Sequence, residues 1–322
     1  MKYFKALIIK LNVTDICTVI FFLLLSILNL IFYLRIQEWL LLILINISVI
    51  TIIFVIAYLD DQMKKMKTHS SGKIWFYLHY FYLIPLILFL FKEIYLMIKP
   101  IREIDYDSVL ISIDHFIFRA NPTQELFKIA NPYLTELLQI VYGTFYFLPI
   151  ILGVNLMIKK KWIELDYSIF CVVYGFFLSY IGYFLVPAVG PRFTLHNFSK
   201  LNEELPGLFL TKFLREITNF GESIPNGSLH AADLVQRDVF PSGHTQMTLI
   251  VMYLSAKLNV KSKYFLIPTG ILLIFSTVYL RYHYFIDLVG GLVFMIITLW
   301  SAKYIFNWWQ RYTNRKEFYL NE

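Results

Sequence analysis

Charged residues and cysteines are both scarce in this chain of 322 residues. Only 16% of the residues are charged and two are cysteines, whereas 58% are hydrophobic and 18% are aromatic. Soluble globular domains carry about 25% charged residues, so this composition excludes an ordinary soluble domain. Cys17 and Cys171 both fall inside apolar runs, so no disulfide framework is expected.

Metal-ligand spacings, internal repeats and low-complexity tracts are missing as well. Carboxylates and histidines are scattered along the sequence, whereas a zinc or magnesium site needs several ligands close together. We therefore expect no metal and no cofactor. The formal net charge of +7 is explained by lysines that flank membrane spans and contact anionic lipid, so no nucleic-acid partner is predicted.

Long apolar runs are abundant. About 20 apolar residues cross a bilayer as a helix, and eight runs approach or reach that length. They are 17–34, 39–59, 74–91, 137–158, 167–189, 243–256, 264–280 and 285–306. None alternates as a barrel strand does, so the sequence predicts an all-α, polytopic membrane bundle of about eight transmembrane helices.

Basic residues predict the orientation of this bundle. With the N-terminus inside, the inner segments hold seventeen of the 29 Lys and Arg residues, including the cluster Lys159-Lys160-Lys161. Short loops rich in Lys and Arg favour the cytoplasmic side. We therefore expect both termini in the cytoplasm. The starts of the sixth and eighth runs then lie on the outer (periplasmic, extracellular or lumenal) face.

The sixth apolar run begins with Phe240-Pro241-Ser242-Gly243-His244-Thr245. Pro241 favours an extended residue before it, and Ser242 is a good N-cap, so a helix should begin here. A helix N-terminus binds anions through its free N–H groups, and Gly243 allows an oxygen to approach the backbone closely. His244 would face such an anion. An ordinary capped helix with a surface histidine would show the same sequence.

A second group of polar residues precedes the eighth run. If the last helix begins near His283, Asp287 lies at i+4 on the same face and its carboxylate would orient the imidazole. The other ring nitrogen would then be free to attack an electrophile. Arg281 adds a planar fork of donors suited to phosphate oxygens. A simple membrane-interface pair beside an arginine anchor is the alternative.

Together these motifs resemble the second and third motifs of the type 2 phosphatidic acid phosphatase (PAP2) superfamily. The first motif would be 182–193, Gly-Tyr-Phe-Leu-Val-Pro-Ala-Val-Gly-Pro-Arg-Phe, which is similar to the branch that contains fungal inositol phosphorylceramide synthases. The resemblance covers roughly residues 114–291. It implies a six-helix PAP2-like catalytic membrane domain over residues 74–322, preceded by two additional transmembrane helices in residues 1–73.

The resemblance also implies a mechanism and a site. His283 would attack a lipid phosphoester, Asp287 would orient His283, and His244 would protonate the leaving oxygen. The groups that hold the phosphoryl oxygens would be Arg192, Arg281, Ser242 and Gly243. The phosphohistidine would pass its phosphoryl group to an alcohol such as inositol, as in an inositolphosphotransferase, or to water, as in a lipid phosphatase. The branch favours head-group transfer.

Three positions depart from the superfamily pattern. Leu185 and Phe193 stand where the first motif usually has lysine and proline, and Thr277 stands where the third motif usually has arginine. Arg281 lies one helical turn beyond Thr277, so we expect its long side chain to supply the missing charge. Loss of the lysine leaves a second hypothesis, a lipid transporter or scaffold without catalysis. The ionisable residues of a transporter would be expected at mid-membrane, whereas those of this chain are predicted at the outer ends of the spans.

Two outer segments exceed the length of simple connectors. Residues 99–136 are expected to form interfacial helices, with one of them over 109–118. Residues 193–240 contain an amphipathic stretch, 208–220, and are expected to cover the site. No role is predicted for the histidines in these segments, which are His115, His196 and His230.

Overall fold

The computed structural model describes residues 7–66, 71–225, 227–228 and 230–320. Throughout these ranges the regular structure is helical and no strand occurs, which confirms the predicted all-α class. Packing divides the chain into two compact units. The first contains the residues up to Ile101 together with Ser301–Tyr319, and the second contains Arg102–Trp300.

Four helices form most of the first unit. They are α1 Val13–Ile31, α2 Trp39–Met66, α3 Ser71–Phe81 and α4 Leu83–Ile101. A capping box of Asn12 and Asp15 starts α1, and residues 75–101 of α3 and α4 together form one span. The predicted domain boundary after residue 73 stays a prediction, because compact packing and the extent of a catalytic domain are different properties.

The described part of the second unit contains eleven further α-helices of very different lengths and the first part of a twelfth. They are α5 Asp107–Phe118, α6 Pro122–Leu126, α7 Pro132–Gly143, α8 Phe147–Ile158, α9 Trp162–Leu185, α10 Pro191–Thr194, α11 Leu201–Glu204, α12 Thr211–Gly221, α13 Ala231–Leu234, α14 Gly243–Lys257, α15 Lys263–Tyr279 and α16 Phe285–Tyr312. Helix α5 coincides with the predicted interfacial helix, and α12 lies within the predicted amphipathic stretch.

Five helical segments of the described chain are long and apolar enough to cross a membrane. They are Val13–Ile31, Trp39–Gln62, Trp75–Ile101, Trp162–Leu185 and Phe285–Tyr312. The protein is therefore a multi-pass membrane protein. Of the three remaining predicted spans, two are present as the shorter helices α14 and α15, of 15 and 17 residues.

The predicted single span 137–158 is a pair of helices instead. Helices α7 and α8 meet at an angle of 53° and make a sixth candidate span if they are counted together. The three residues between them form a turn, in which the amide of Phe147 donates to the carbonyl of Thr144 at 2.8 Å. Apolar composition alone could not locate this bend, because the turn residues are as apolar as the helices.

Contacts between helix ends bring the site residues together. A Cβ on Gly243 would lie 2.5 Å from the hydroxyl of Tyr183, so the start of α14 lies against the end of α9. Thr135 and Tyr279 are joined by a 2.9 Å hydrogen bond, so the start of α7 lies beside the end of α15. A Cβ on Gly291 would lie 2.7 Å from the carbonyl oxygen of Ser242. Glycine at this position therefore lets α16 pack directly against the start of α14.

Candidate active site

Helix α14 begins where the sequence predicts. The hydroxyl of Ser242 accepts a hydrogen bond from the amide of Thr245 at 3.2 Å, which is the expected N-cap geometry. The amide of Ser242 donates to the carbonyl of Asp287 at 3.0 Å. The start of α14 is therefore attached to the start of α16, and the amides near Gly243 lie at a helix N-terminus suited to an anion.

His283 lies in the short connection between α15 and α16. Its amide and that of Tyr282 both donate to the carbonyl of Thr277, at 3.0 and 2.9 Å, which fixes the backbone of the turn. The Nδ1 atom of His283 is 3.0 Å from the carbonyl oxygen of Val239. Because a carbonyl can only accept, Nδ1 carries the proton and the neutral ring keeps its lone pair on Nε2.

The predicted contact between His283 and Asp287 is present at 3.5 Å between Nδ1 and Oδ2. This distance is longer than a normal hydrogen bond, and Oδ2 accepts instead from the amide of Tyr284 at 2.7 Å. Helix α16 begins at Phe285, two residues after His283. His283 therefore lies in the turn before the helix, and the turn brings the two side chains close. Asp287 therefore holds the turn and places its carboxyl group beside the imidazole.

Burial controls the charge of His283. The imidazole is almost completely buried, which lowers the pKa of His283 to about 4, whereas the nearby carboxylate of Asp238 acts in the opposite direction. The ring is therefore neutral at physiological pH. A neutral imidazole with an unprotonated Nε2 is the nucleophilic form. No role was predicted for Asp238, although it lies two residues before the motif that begins at Phe240.

The two histidines lie next to each other. The ring centroids of His244 and His283 are 5.7 Å apart in an edge-on arrangement. Tyr142 stacks on His244 at 4.6 Å and Phe145 contacts the same ring at 4.2 Å. These aromatic rings hold the imidazole of His244 so that it faces His283.

The stack continues from Tyr142 to an arginine. Tyr142 stacks on Tyr282 at 4.4 Å, and the guanidinium of Arg192 lies 4.9 Å from the centre of the Tyr282 ring. Cation–π contacts of this kind favour a fixed guanidinium position. The two tyrosines carry no motif of their own in the sequence, although Tyr282 directly precedes His283.

Arg192 lies in the one-turn helix α10, directly after a left-handed residue, Gly190 with φ 98°. Its side chain is nearly buried, and burial lowers the pKa of the guanidinium from its usual value. The guanidinium forms an ion pair with Glu222 and donates to Asn219 Oδ1 at 3.1 Å. Both partners belong to the loop 193–240, so this loop contacts Arg192. That it covers the site stays a prediction.

Arg281 is arranged differently from the prediction. Helix α15 ends at Tyr279 and Arg281 has a left-handed backbone with φ 68°, so the argument that it lies one helical turn beyond Thr277 is wrong. Its guanidinium pairs with Glu204 and lies 5.1 Å from the ring of Phe127. Among the described residues its contacts are therefore made with these two groups and not with the two histidines.

Two acidic residues of α5 position the site although the sequence analysis gave them no role. Asp107 accepts from the amides of Val189 and Gly190, at 3.0 and 2.8 Å, and from the hydroxyl of Tyr284 at 2.7 Å. It therefore holds the turn that precedes Arg192.

Asp114 acts on the last helix. It accepts from the amides of Phe285 and Ile286, at 2.7 and 2.8 Å, at the start of α16. Burial raises the pKa of Asp114, whereas these two N–H groups lower it. The spacing of seven residues places Asp107 and Asp114 on one face of α5, and this spacing was the available signal.

The remaining histidines lie elsewhere. His196 Nε2 is 2.9 Å from the hydroxyl of Thr123, and the exposed His230 lies 4.0 Å from Asp233. Within the part of the chain that the structure describes, no group of three or more His, Cys, Asp or Glu residues has the arrangement of a metal site.

A comparison with protein families identifies the class of the protein. The family model described as PAP2 superfamily matches residues 110–301, more than half of the chain. The chain therefore belongs to the PAP2 superfamily, which supports a function of the lipid phosphatase or phosphotransferase type. Searches of curated proteins and of solved structures gave no match. The matched region includes Arg192, His244, His283 and Asp287.

Proposed function

We propose that this protein is a membrane-bound lipid phosphotransferase that moves a phospho-head group through a phosphohistidine at His283. One observation carries the proposal. The hydrogen bond from Nδ1 to the Val239 carbonyl leaves Nε2 unprotonated, and the ring of His244 lies 5.7 Å away as a partner for proton transfer.

In the first step, Nε2 of His283 attacks the phosphorus atom of a lipid phosphoester. The bond from phosphorus to the lipid oxygen breaks, and the lipid alcohol leaves with a proton from His244. We propose that His244 takes up this proton when the anionic phosphoester binds beside it. Asp287, at 3.5 Å, stabilises the positive charge that develops on the imidazole of His283. Arg192, with the Ser242 hydroxyl and the Gly243 amide at the start of α14, would hold the phosphoryl oxygens.

In the second step, an acceptor hydroxyl attacks the phosphohistidine. His244 takes the proton of that hydroxyl, the bond from phosphorus to Nε2 breaks, and neutral His283 is restored. We propose an alcohol, such as inositol or a lipid alcohol, as the acceptor. The contact of Asn219 with Arg192 supports this choice, because it attaches the loop 193–240 beside the site, and a covering loop excludes water from the intermediate.

Arg281 has a separate place in the proposal. Its pairing with Glu204 keeps a second guanidinium buried in the unit that carries the site. We propose that Arg281 contacts the phospho-head group only after Glu204 has been displaced. Full activity of Arg281→Ala on a phospholipid donor would remove Arg281 from the site.

A transfer assay tests the proposed acceptor. Purified protein would receive a labelled phospholipid donor with inositol, with a lipid alcohol or with neither, and both inorganic phosphate and new phosphodiester would be followed. The proposal predicts a phosphodiester product that contains the acceptor. The matched variant His283→Gln should form no such product. Rapid release of phosphate from phosphatidic acid, with no transfer product at any acceptor concentration, would identify a phosphatase instead.

A further inference from the structure

The loop helix α12 has its polar side buried and its apolar side exposed. Thr211 and Arg215 are each 3% exposed, whereas Phe213 is 58% and Phe220 is 81% exposed. The helix of a soluble surface shows the opposite arrangement, since its apolar stripe normally faces the core. The predicted amphipathic stretch is therefore present, but its apolar side does not face the protein.

The N-terminus of α12 is attached to the membrane-spanning helix pair. The carboxylate of Glu136, in α7, accepts from the amides of Leu208 and Leu210, at 2.9 and 2.6 Å. It also accepts from the amide and the hydroxyl of Thr211, at 3.1 and 2.6 Å. A carboxylate at a helix N-terminus satisfies the free N–H groups and is favoured by the helix dipole.

The buried side of α12 is also held by hydrogen bonds. Arg215 donates to the carbonyls of Leu201 and Leu205, at 3.2 and 2.7 Å, and to Asn202 Oδ1 at 3.0 Å. Turning the apolar side towards the protein would break these bonds and those to Glu136. The exposure of the phenylalanines is therefore a consequence of the way the helix is anchored.

The exposed face of α12 adjoins a surface that faces lipid. Helix α12 packs against α7, and α7 exposes large apolar side chains beside it, among them Leu137 and Ile140. Because α7 and α8 together form a candidate span, we expect this side of α7 to contact the acyl chains. The apolar face of α12 continues that surface at the end of the bundle where the two histidines lie.

We infer that Phe209, Phe213, Ile217 and Phe220 insert into the membrane leaflet at the active-site end of the bundle. Amphipathic helices with large apolar side chains lie in the interfacial region in this way. Asn219 and Glu222, at the other end of the same helix, bind Arg192. Contact with lipid and access to Arg192 therefore depend on one element, and a lipid can reach the site along α12 from that leaflet.

The insertion is tested without any enzymatic assay. Phe213→Cys would carry a fluorescent label in nanodiscs, and quenching by iodide in water would be compared with quenching by lipids that carry a nitroxide on the acyl chain. Glu203→Cys, in the exposed part of the same loop, is the matched control, and the parent protein supplies the background of its two native cysteines. The label at 213 should be quenched by the nitroxide lipid and protected from iodide, and the label at 203 should show the reverse.

Two results would overturn the insertion. Equal quenching of both labels by iodide would place the face in water. Protection of the label at 213 from both quenchers would mean that protein, such as a second copy of this chain, covers the face.

The consequence for substrate access rests on the proposed function and has its own assay. The double variant Phe213→Asp, Phe220→Asp should raise KM for a long-chain donor in vesicles by roughly a hundredfold, since removing each of the two large apolar side chains from lipid costs a factor of about ten. Its kcat on a soluble short-chain donor should not change.

Loss of both activities would indicate damage to the chemistry, and unchanged KM in vesicles would contradict access along α12. Inactivity of the unaltered protein on both donors would refute the proposed function and leave the labelling result unaffected.

Discussion

The carboxylate of Glu222 pairs with the guanidinium of Arg192, and both side chains are largely shielded from solvent. A planar guanidinium binds phosphate through the same fork of donors that it offers to a carboxylate. If Arg192 binds the phosphoryl group as proposed, Glu222 occupies the position that this group needs. The proposed function therefore requires a lipid phosphate to displace this carboxylate.

Glu222→Gln should strengthen the binding of phosphate. Glutamine keeps a hydrogen-bond acceptor near Arg192 but removes the competing charge, and a charged hydrogen bond contributes about 1.5 to 3 kcal/mol. The Kd of inorganic phosphate, measured by calorimetry, should fall by roughly tenfold. Glu203→Gln changes an exposed carboxylate of the same loop and should leave the Kd unchanged. Weaker binding to Glu222→Gln would show that Glu222 supports the phosphate site.

Asp114→Asn should destabilise the protein through the start of α16. Asparagine can accept from one of the two amides of Phe285 and Ile286, but its NH₂ group opposes the other, and an unsatisfied buried donor costs about 1 to 3 kcal/mol. The thermal unfolding midpoint in detergent should fall by about 5 °C. Ser112→Ala, on the exposed face of the same helix, should unfold near the wild-type midpoint. An unchanged midpoint in Asp114→Asn would exclude this role.

Because of His283, the free energy of unfolding should depend on pH at values below the ordinary pKa of histidine. Its folded-state pKa of about 4 lies below the unfolded value of about 6.5. As pH falls below 6.5, the unfolded state therefore gains a proton that the folded state refuses, and folding loses about 1.4 kcal/mol per pH unit until pH 4. His283→Gln lacks this loss. Thermal unfolding should show that this variant becomes more stable relative to wild type as the pH falls from 7.5 to 5.5. A difference in stability that stays constant over this range would contradict a neutral, buried His283.

The active-site loop should face away from the cytoplasm. The positive-inside pattern places 193–240 outside and the basic segment 257–263 inside. Glu203→Cys and Lys261→Cys introduce cysteines at exposed positions of these two segments. In intact cells an impermeant thiol reagent should label the first and spare the second. The opposite labelling pattern would move the chemistry to the cytoplasmic leaflet.

Local signals predicted much of the fold and part of the site. Apolar runs located the helices because a membrane span is a property of composition. Ser242 was recognisable as an N-cap because capping depends on neighbouring residues. The bend between α7 and α8 was missed, since Thr144 and the two aromatic residues after it carry no breaker signal.

Contacts between distant residues were beyond the reach of these signals. Glu222 and Arg192 are thirty residues apart, and Glu136 caps a helix that begins 75 residues later. Arg281 was misjudged because its left-handed conformation ends α15 where a continuous helix was assumed. The acceptor of the His283 ring proton, Val239, contributes a carbonyl, which every residue type has.

Covalent trapping of His283 tests the central claim most directly. His244→Gln would be mixed with a donor that has an activated leaving group, which needs no protonation, and quenched in alkali, where phosphohistidine survives. Mass spectrometry separates the two positions, because position 244 lies in tryptic peptide 238–257 and His283 is the one histidine of peptide 282–303. The account predicts a phospho-adduct on peptide 282–303, which disappears in His283→Gln together with turnover. Near wild-type turnover by His283→Gln, or an adduct on any other peptide, would contradict it.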